Sequence, residues 1–346
     1  MKIIQIVRRY GPVGGMERYV WELSRQLVAQ GHTVKVVCER CDFTPPPGIE
    51  VHTLGVMAFR PRWIYYLRFS RRVTRWFAAH PHPGWLVHSH ERVGVHHVTT
   101  FHGPPFANVR DKPWWKRLSL RIWAQLWLER RELGHARAIL PNSEVIRKLL
   151  AHYYPEYAHK LRAPVIPGVE QPLIRPAHTV AADGGVIGFV GREWERKGLA
   201  KAVEVVARLR QRRPELVFQV VGPAPEAVAH LFNGWQGGYR LLGWRTDSDY
   251  LPELDVLLHP ASAEPYGMVI SEAMAARIPV VVSDACGAAA QVDPEAGEVL
   301  PLTASIEAWA DAVERQLARP TPPPAFRHGW DEVARECETI YRSISA

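Results

Sequence analysis

Val186-Ile187-Gly188-Phe189-Val190 runs directly into Gly191-Arg192-Glu193-Trp194-Glu195-Arg196-Lys197-Gly198, and from there into the apolar-periodic stretch 199–210. The first five residues are a short apolar run closed by glycine, which reads as a buried strand. The last twelve space their apolar residues along one helix face. Strand, charged loop and helix in that order make half of a parallel α/β unit. The stretch matters because it starts the pattern a second time. Just before it lies the Pro-rich segment 164–176, and upstream of that the same order has already run once. Residues 2–7 are apolar and lead into a glycine-containing turn. Met16, Tyr19, Val20, Leu23 and Leu27 then fall at helical spacing, ahead of Gly31 and the Val-rich run 33–39.

Working outward, strand-like runs recur at 49–54, 85–91, 96–101 and 138–141, and again at 216–221, 240–242, 256–259 and 280–283. A helix is expected over 269–276. Buried parallel strands alternating with helices build doubly wound sheets. The expectation is therefore an α/β chain with two doubly wound domains, residues 1–165 and 166–324, joined by a short hinge beside a cleft. Ligands in open α/β sheets bind beyond the carboxyl ends of the strands. Pro320-Thr321-Pro322-Pro323-Pro324 is a stiff breaker. Beyond it, Trp330, Val333, Ala334, Cys337, Ile340, Tyr341 and Ile344 recur every three or four residues. Segment 325–346 is thus an amphipathic helix that must pack on one of the two domains.

Composition narrows the function classes. With 346 residues, 47% hydrophobic and 23% charged, the chain has material for two cores, and disordered or fibrous classes are excluded. Its apolar runs fall far short of the roughly 20 residues that span a bilayer. The N-terminal run meets Arg8-Arg9 too soon for a signal peptide. The reading is a cytoplasmic protein. Cys38 and Cys41 form a lone CxxC with no second pair, so neither zinc nor redox chemistry is expected there. Sixteen histidines, seven of them from His80 to His102, lack a metal-ligand spacing, and no metal is expected. The net charge of +8 hides a split. Residues 1–165 hold 26 Lys and Arg against 11 Asp and Glu, and residues 166–346 hold 17 against 24. The first half meets something anionic.

Three segments fall where strand ends should open. Gly11-Pro12-Val13-Gly14-Gly15-Met16-Glu17 sits between the first strand and the first helix. Its paired Gly14 and Gly15 permit close backbone approach to an anion at a helix N-terminus, although it is not a GxGxxG fingerprint. Arg192 and Lys197 bracket the second loop, a fork donor and a point cation that could converge on a diphosphate. In Glu264-Pro265-Tyr266-Gly267-Met268-Val269-Ile270-Ser271-Glu272, two carboxylates stand eight apart around a helix start. The N–H groups of Gly267, Met268 and Val269 suit a phosphate. The carboxylates suit sugar or ribose hydroxyls, from which they accept several hydrogen bonds.

Together these segments resemble the retaining glycosyltransferases of family 4, which have GT-B architecture: two facing Rossmann-like domains, an interdomain cleft and a C-terminal crossover helix. The carriers are Gly14-Gly15 with Met16-Glu17-Arg18, Gly191-Arg192 with Lys197-Gly198, and Glu264-Pro265-Tyr266-Gly267 through Glu272-Ala273-Met274-Ala275. The resemblance implies a nucleotide-sugar donor held mainly by the second domain and an acceptor on the first. It implies that Arg192 and Lys197 neutralise the donor diphosphate, Glu264 contacts the donor sugar, Glu272 holds the ribose, and His102 in Thr99-Thr100-Phe101-His102-Gly103 lies beside that sugar. It implies that the terminal helix crosses back onto the first domain. Two departures stand out: Arg277 replaces a glycine common in relatives, and Cys286-Gly287-Ala288-Ala289-Ala290 lacks a downstream glutamate.

For the acceptor, residues 60–77 place Arg68, Arg71, Arg72 and Arg75 on one helical stripe with Trp63, Tyr66, Leu67, Val73 and Phe77 roughly opposite. Further on, Trp114, Trp115, Trp123 and Trp127 alternate with Lys116, Arg117, Arg121, Arg130 and Arg131. Basic faces with interfacial aromatics suit an anionic membrane surface. No recognised nucleic-acid module appears, so nucleic acid is not an expected partner. The expected enzyme is a metal-independent, retaining hexosyltransferase without a cofactor. It would use a nucleotide-sugar, UDP-sugar favoured, on a lipopolysaccharide core or other lipid-linked glycan, peripherally on the cytoplasmic face of the inner membrane. The alternatives are an exopolysaccharide or O-antigen repeat-unit enzyme, a GDP-mannose-dependent mannosyltransferase, and a non-catalytic sugar-nucleotide-binding protein.

Overall fold

A computed structural model describes residues 1–56, 62–170, 173–245 and 249–345. Arg60 and Pro61 of the basic stretch and Gln171 and Pro172 of the Pro-rich segment lie outside the described residues, as do the side chains of Arg62, Trp63 and Lys116. The chain divides into two compact units, Met1–Gly168 with His328–Ala346, and Val169–Arg327.

The first unit runs β1 (Lys2–Ile6), β2 (Arg9–Tyr10), α1 (Gly15–Ala29), β3 (Thr33–Cys38), β4 (Arg40–Cys41), β5 (Ile49–Thr53), α2 (Arg62–Ala79), β6 (Leu86–Ser89), β7 (Val98–Phe101), α3 (Leu120–His135), β8 (Ala138–Pro141) and α4 (Glu144–Tyr153). Six of these strands form a parallel sheet in the order β5-β3-β1-β6-β7-β8. Chain order reverses between β1 and β6, so the loops leaving these two strands diverge and leave room for a ligand at their carboxyl ends. β2 and β4 add a two-residue parallel pair beyond the sheet, too short to leave any periodicity in the sequence.

The second unit runs β9 (Gly184–Val190), α5 (Leu199–Leu209), β10 (Glu215–Val221), α6 (Pro225–Val228), β11 (Tyr239–Gly243), β12 (Val256–His259), α7 (Met268–Ala275), β13 (Val280–Ser283), β14 (Gly297–Leu300) and α8 (Ile306–Leu317). Its parallel sheet, β11-β10-β9-β12-β13-β14, reverses between β9 and β12. The quoted stretch therefore supplies the central strand β9 and the loop at the reversal. Ile187, Phe189, Leu199, Val206 and Trp309 lie in one buried cluster.

The last helix, α9 (Trp330–Ser345), belongs to the first unit. It buries Trp330, Val333, Ala334, Cys337 and Tyr341. Trp330 meets the Tyr19 ring of α1 edge-on at 5.5 Å. Gly168 lies under Trp330, where a Cβ would come within 2.8 Å of its ring.

One helix faces differently from its sequence reading. The core side of α2 is Phe69, Val73 and Trp76, while Tyr66, Leu67 and Phe77 are half-buried. The arginine stripe is split as a result. Arg71 and Arg75 are exposed, Arg68 is half-buried, and Arg72 donates to the Gly55 carbonyl at 2.8 Å. The helix turns because Phe69 and Trp76, seven apart, offer more apolar area to the sheet than Tyr66 and Leu67. Elsewhere Cys38 is buried and Cys41 half-buried, and both are free thiols.

Candidate active site

At the reversal of the second sheet, the loop leaving β9 meets the loop leaving β12. Gly191 is required where they touch: its φ is 155°, and a Cβ there would strike the aliphatic stem of Lys197. The stem lies over the glycine and its ammonium stands 3.1 Å from Glu264 Oε2. Arg196 reaches the same oxygen at 3.6 Å and donates to the Ala263 carbonyl. The His259 imidazole, fully buried at the end of β12, lies 3.7 Å away. Burial alone would raise the Glu264 carboxyl; His259, Lys197 and Arg196 outweigh it and bring its pKa down to about 2. Glu264 is thus a carboxylate at every working pH. Burial lowers the pKa of His259 and keeps its imidazole neutral.

The backbone around Glu264 is pinned. Its N–H donates to Ala285, and its carbonyl accepts from Gly287 N at 2.9 Å. The atypical stretch 286–290 therefore backs the glutamate loop. Gly267, with φ 99°, turns the chain into α7, where Met268 and Val269 occupy the first turn. The N–H groups of a first turn have no intrahelical acceptor, and the helix dipole makes them a place for an anion. Glu272 lies in the second turn of α7, half-buried. Arg192 is exposed, and its guanidinium lies over the Trp244 ring at 5.1 Å. The second unit thus brings Lys197, Glu264 and the α7 start together and leaves Arg192 at the rim. Arg196 and His259 are members of the cluster that sequence reasoning missed. Arg196 sits in the quoted loop, but loop spacing does not say which cation turns inward. His259 ends a strand buried on both faces, where period-two alternation is silent.

In the first unit, a cavity of about 420 Å³ opens at the ends of β1, β6 and β7, lined by Arg8, Met16, Tyr66, Arg92, His102 and Arg121 among others. Gly14 and Gly15 lead into it as exposed residues at the start of α1; Gly14 has φ 102° and no room for a Cβ beside Glu17. Arg8 is held by Glu91 at 2.8 Å and lies over the Tyr66 ring, and Arg92 pairs with buried Glu129 at 3.1 Å. Arg121, exposed, has no partner among the described residues. Burial raises the Glu132 carboxyl to about 8, so this cavity-lining acid is neutral below that pH. Burial likewise lowers His102 to about 3, leaving a neutral imidazole. Among the described residues, no group of three His, Cys, Asp or Glu could hold a metal ion.

Arg277, the unusual residue after α7, is the one non-glycine residue with positive φ among those described, at 63°. Its guanidinium donates to the Pro323 carbonyl at 2.9 Å. Glycine would relieve this backbone, and arginine uses the site to hold the proline segment.

Two doubly wound sheets, each with a polar cluster at its order reversal, define a GT-B type α/β architecture. Comparison with known proteins carries this to the family. Residues 13–168 match the family model for glycosyltransferase family 4, and residues 184–319 match that for group 1 glycosyl transferases. A D-inositol 3-phosphate glycosyltransferase of Jonesia denitrificans is 26% identical over 96% of this chain and 91% of its own. The lipopolysaccharide glucosyltransferase WaaG of Escherichia coli is 23% identical over 94% and 91%. A crystal structure of WaaG superposes with a TM-score of 0.74 at 20% identity, covering 96% of this chain and 94% of that one. Anabaena Alr3699/HepE in complex with UDP and glucose superposes at 0.70 and 17%, over 99% and 100%. The chain belongs to the GT-B glycosyltransferases of the family 4 type.

Proposed function

We propose that this glycosyltransferase moves a sugar, with retention, from a nucleotide-sugar held by the second unit to a phosphorylated, lipid-linked glycan acceptor bound by the first. The observation that carries the donor half is the pair of half-buried Lys197 and buried Glu264 beside the start of α7. Glu264 takes one of the three ammonium donors, and the others remain for a diphosphate. Arg192, released from Trp244, adds a fork donor. Glu264 and His102 orient the sugar, Glu272 accepts from the ribose, and Gly14 and Gly15 let the backbone approach closely. The acceptor hydroxyl forms the new C1–O bond on the face from which the diphosphate leaves, and its proton passes to a departing phosphate oxygen. Cations and helix N–H groups carry the developing charge, so the reaction needs no metal. A UDP-sugar is the favoured donor; the structural neighbour described with UDP and glucose supports this choice. A thermal-shift panel of UDP-, GDP- and ADP-sugars tests it, since a bound donor stabilises by RT ln(1 + [L]/Kd). Stabilisation by none of them removes the reading.

The acceptor half rests on the cavity and on what surrounds it. Trp114, Trp115, Leu118, Leu120, Trp123 and Trp127 are all between 43% and 74% exposed within one short segment. Arg117, Arg121 and Arg130 are interleaved with them, and Arg121 also lines the cavity. An apolar ridge with arginines suits the headgroup region of an anionic leaflet. It would bring a lipopolysaccharide core to the cavity at the cytoplasmic face of the inner membrane. No described helix is long and apolar enough to cross a membrane. Flotation with vesicles containing phosphatidylglycerol, but not with pure phosphatidylcholine, is the expected result; equal binding to both removes the leaflet. A second reading follows from the inositol 3-phosphate relative: a free phosphorylated polyol in the same cavity. Transfer to inositol phosphate in the absence of any lipid acceptor would favour it.

A further inference from the structure

Beneath the cavity runs a chain of hydrogen bonds through the first unit, of which the reaction as written uses His102 alone. His102 Nε2 lies 2.8 Å from His90 Nδ1, and His90 Nε2 lies 2.9 Å from Gln5 Oε1. The Gln5 amide nitrogen reaches the Tyr341 hydroxyl at 3.5 Å. That hydroxyl lies 2.7 Å from His88 Nδ1, and His88 Nε2 is 2.8 Å from Thr100 Oγ1. Gln5, His88, Thr100 and Tyr341 are at most 2% exposed, and His90 is 5% exposed. Burial holds His88, His90 and His102 in the neutral form. Each of these rings therefore carries one N–H and one lone pair, and which nitrogen has the proton is set by its partner.

The amide settles the direction. Gln5 Oε1 can only accept, so His90 carries its proton on Nε2 and offers a lone pair at Nδ1. His102 must then donate from Nε2. On the other side the Gln5 N–H donates to the Tyr341 hydroxyl, which also meets His88 Nδ1, and His88 Nε2 meets Thr100. Hydroxyls donate or accept, so the amide fixes the direction along Gln5, His90 and His102 alone, and reversing it there would require the Gln5 amide to turn over and both rings to change tautomer. Both ends, His102 and Thr100, belong to residues lining the cavity. The far side of the chain is anchored by Tyr341, so the terminal helix α9 supplies one of its links.

We infer that Gln5 and His90 act as positioning residues that hold His102 in the Nε2–H tautomer, leaving Nδ1 as a fixed acceptor for a ligand hydroxyl. The inference rests on the proposed glycosyl transfer only for the identity of that hydroxyl, a sugar hydroxyl. The tautomer itself is a property of the protein without substrate. His102 is then a group that receives a hydroxyl proton in a hydrogen bond and cannot supply one from Nδ1. A ligand presenting a bare carbonyl or ether oxygen there meets a lone pair and is rejected.

The test is ¹⁵N NMR of histidine-labelled full-length protein, with the His102 signals assigned by their loss in His102→Gln. The wild type should show His102 Nδ1 as an unprotonated nitrogen and Nε2 as a protonated one. In His90→Asn, the amide oxygen stands where Nδ1 was and keeps that pattern. In His90→Leu the pattern averages between tautomers. Turnover should fall roughly 10- to 100-fold in His90→Leu, as for outer partners of functional histidines, and recover most of the way in His90→Asn. A protonated Nδ1 in the wild type overturns the inference, as does an unchanged His102 spectrum in folded His90→Leu. If His90→Leu does not fold, the wild-type and His90→Asn spectra decide alone. An inactive protein with the expected tautomer would strike the glycosyl-transfer reading and leave this one standing.

Discussion

The polar clusters of the two units occupy equivalent places, at the reversal of strand order, yet they are built on opposite electrostatics. In the second unit a buried carboxylate is kept ionised by cations on the facing loop. In the first, buried imidazoles are kept neutral and satisfy one another through an amide and a phenol. Burial penalises charge in both. The second unit answers it with ion pairing, suited to holding a charged ligand, and the first by abolishing charge, suited to aligning hydroxyls. Charged side chains of the first unit, Arg8, Arg92 and Arg121, stand around the cavity instead.

The largest effect that would sharpen this contrast is expected from Lys197→Ala. In the proposed reaction this removes a cation beside the leaving diphosphate, and turnover should drop about 10²- to 10³-fold with the circular dichroism unchanged. Near-normal initial rates with a nucleotide-sugar would break the assignment of the charged cluster.

Acid should separate the units next. The first unit's imidazoles have folded pKa values below the 6.5 of the free side chain, with His102 near 3. Below 6.5 the unfolded chain binds protons that the folded unit does not, so their contribution is full above 6.5 and drains away as pH falls toward 3. Glu264, at about 2 against an ordinary 4.5, keeps its full contribution down to 4.5 and loses it below. His259 of the second unit is depressed as well, one imidazole against the three of the first, so at pH 5 hydrogen exchange should quicken more in β6 and β7 than in β9 and β12. Equal loss in both units would break the comparison.

The smallest effect is expected at Arg277. Arg277→Gly relieves a left-handed backbone at a cost of the bonds to the proline segment, so the two nearly offset, within about 1 kcal/mol. A melting temperature lowered by many degrees would mean that the proline latch dominates.

Much of this architecture was legible in the chain itself. The restart at Val186 after a Pro-rich segment specified two sheets, because strand and helix periods differ and proline cannot continue either. Glu264, Gly267 and Lys197 could be picked out as candidates because their segments fall at strand ends and together resemble the family's loops, although each segment alone also reads as a structural turn. The α2 face was misread, since several apolar stripes of similar weight share one helix and only the sheet beneath selects among them. Arg196 and His259 escaped for a related reason: what distinguishes them is the direction of a side chain in a loop and at the end of a buried strand.

By itself, then, the order of residues determined the strand and helix alternation, the glycine turns and the charge asymmetry, all of which depend on near neighbours along the chain. The tertiary structure alone decided that residues as distant as Gln5, His90, His102 and Tyr341 share one hydrogen-bonded line, and that Lys197 rather than Arg192 meets Glu264. Hydrogen bonds and ion pairs are contacts of a few ångströms, and which groups come within that reach is settled only when the strands have been laid side by side.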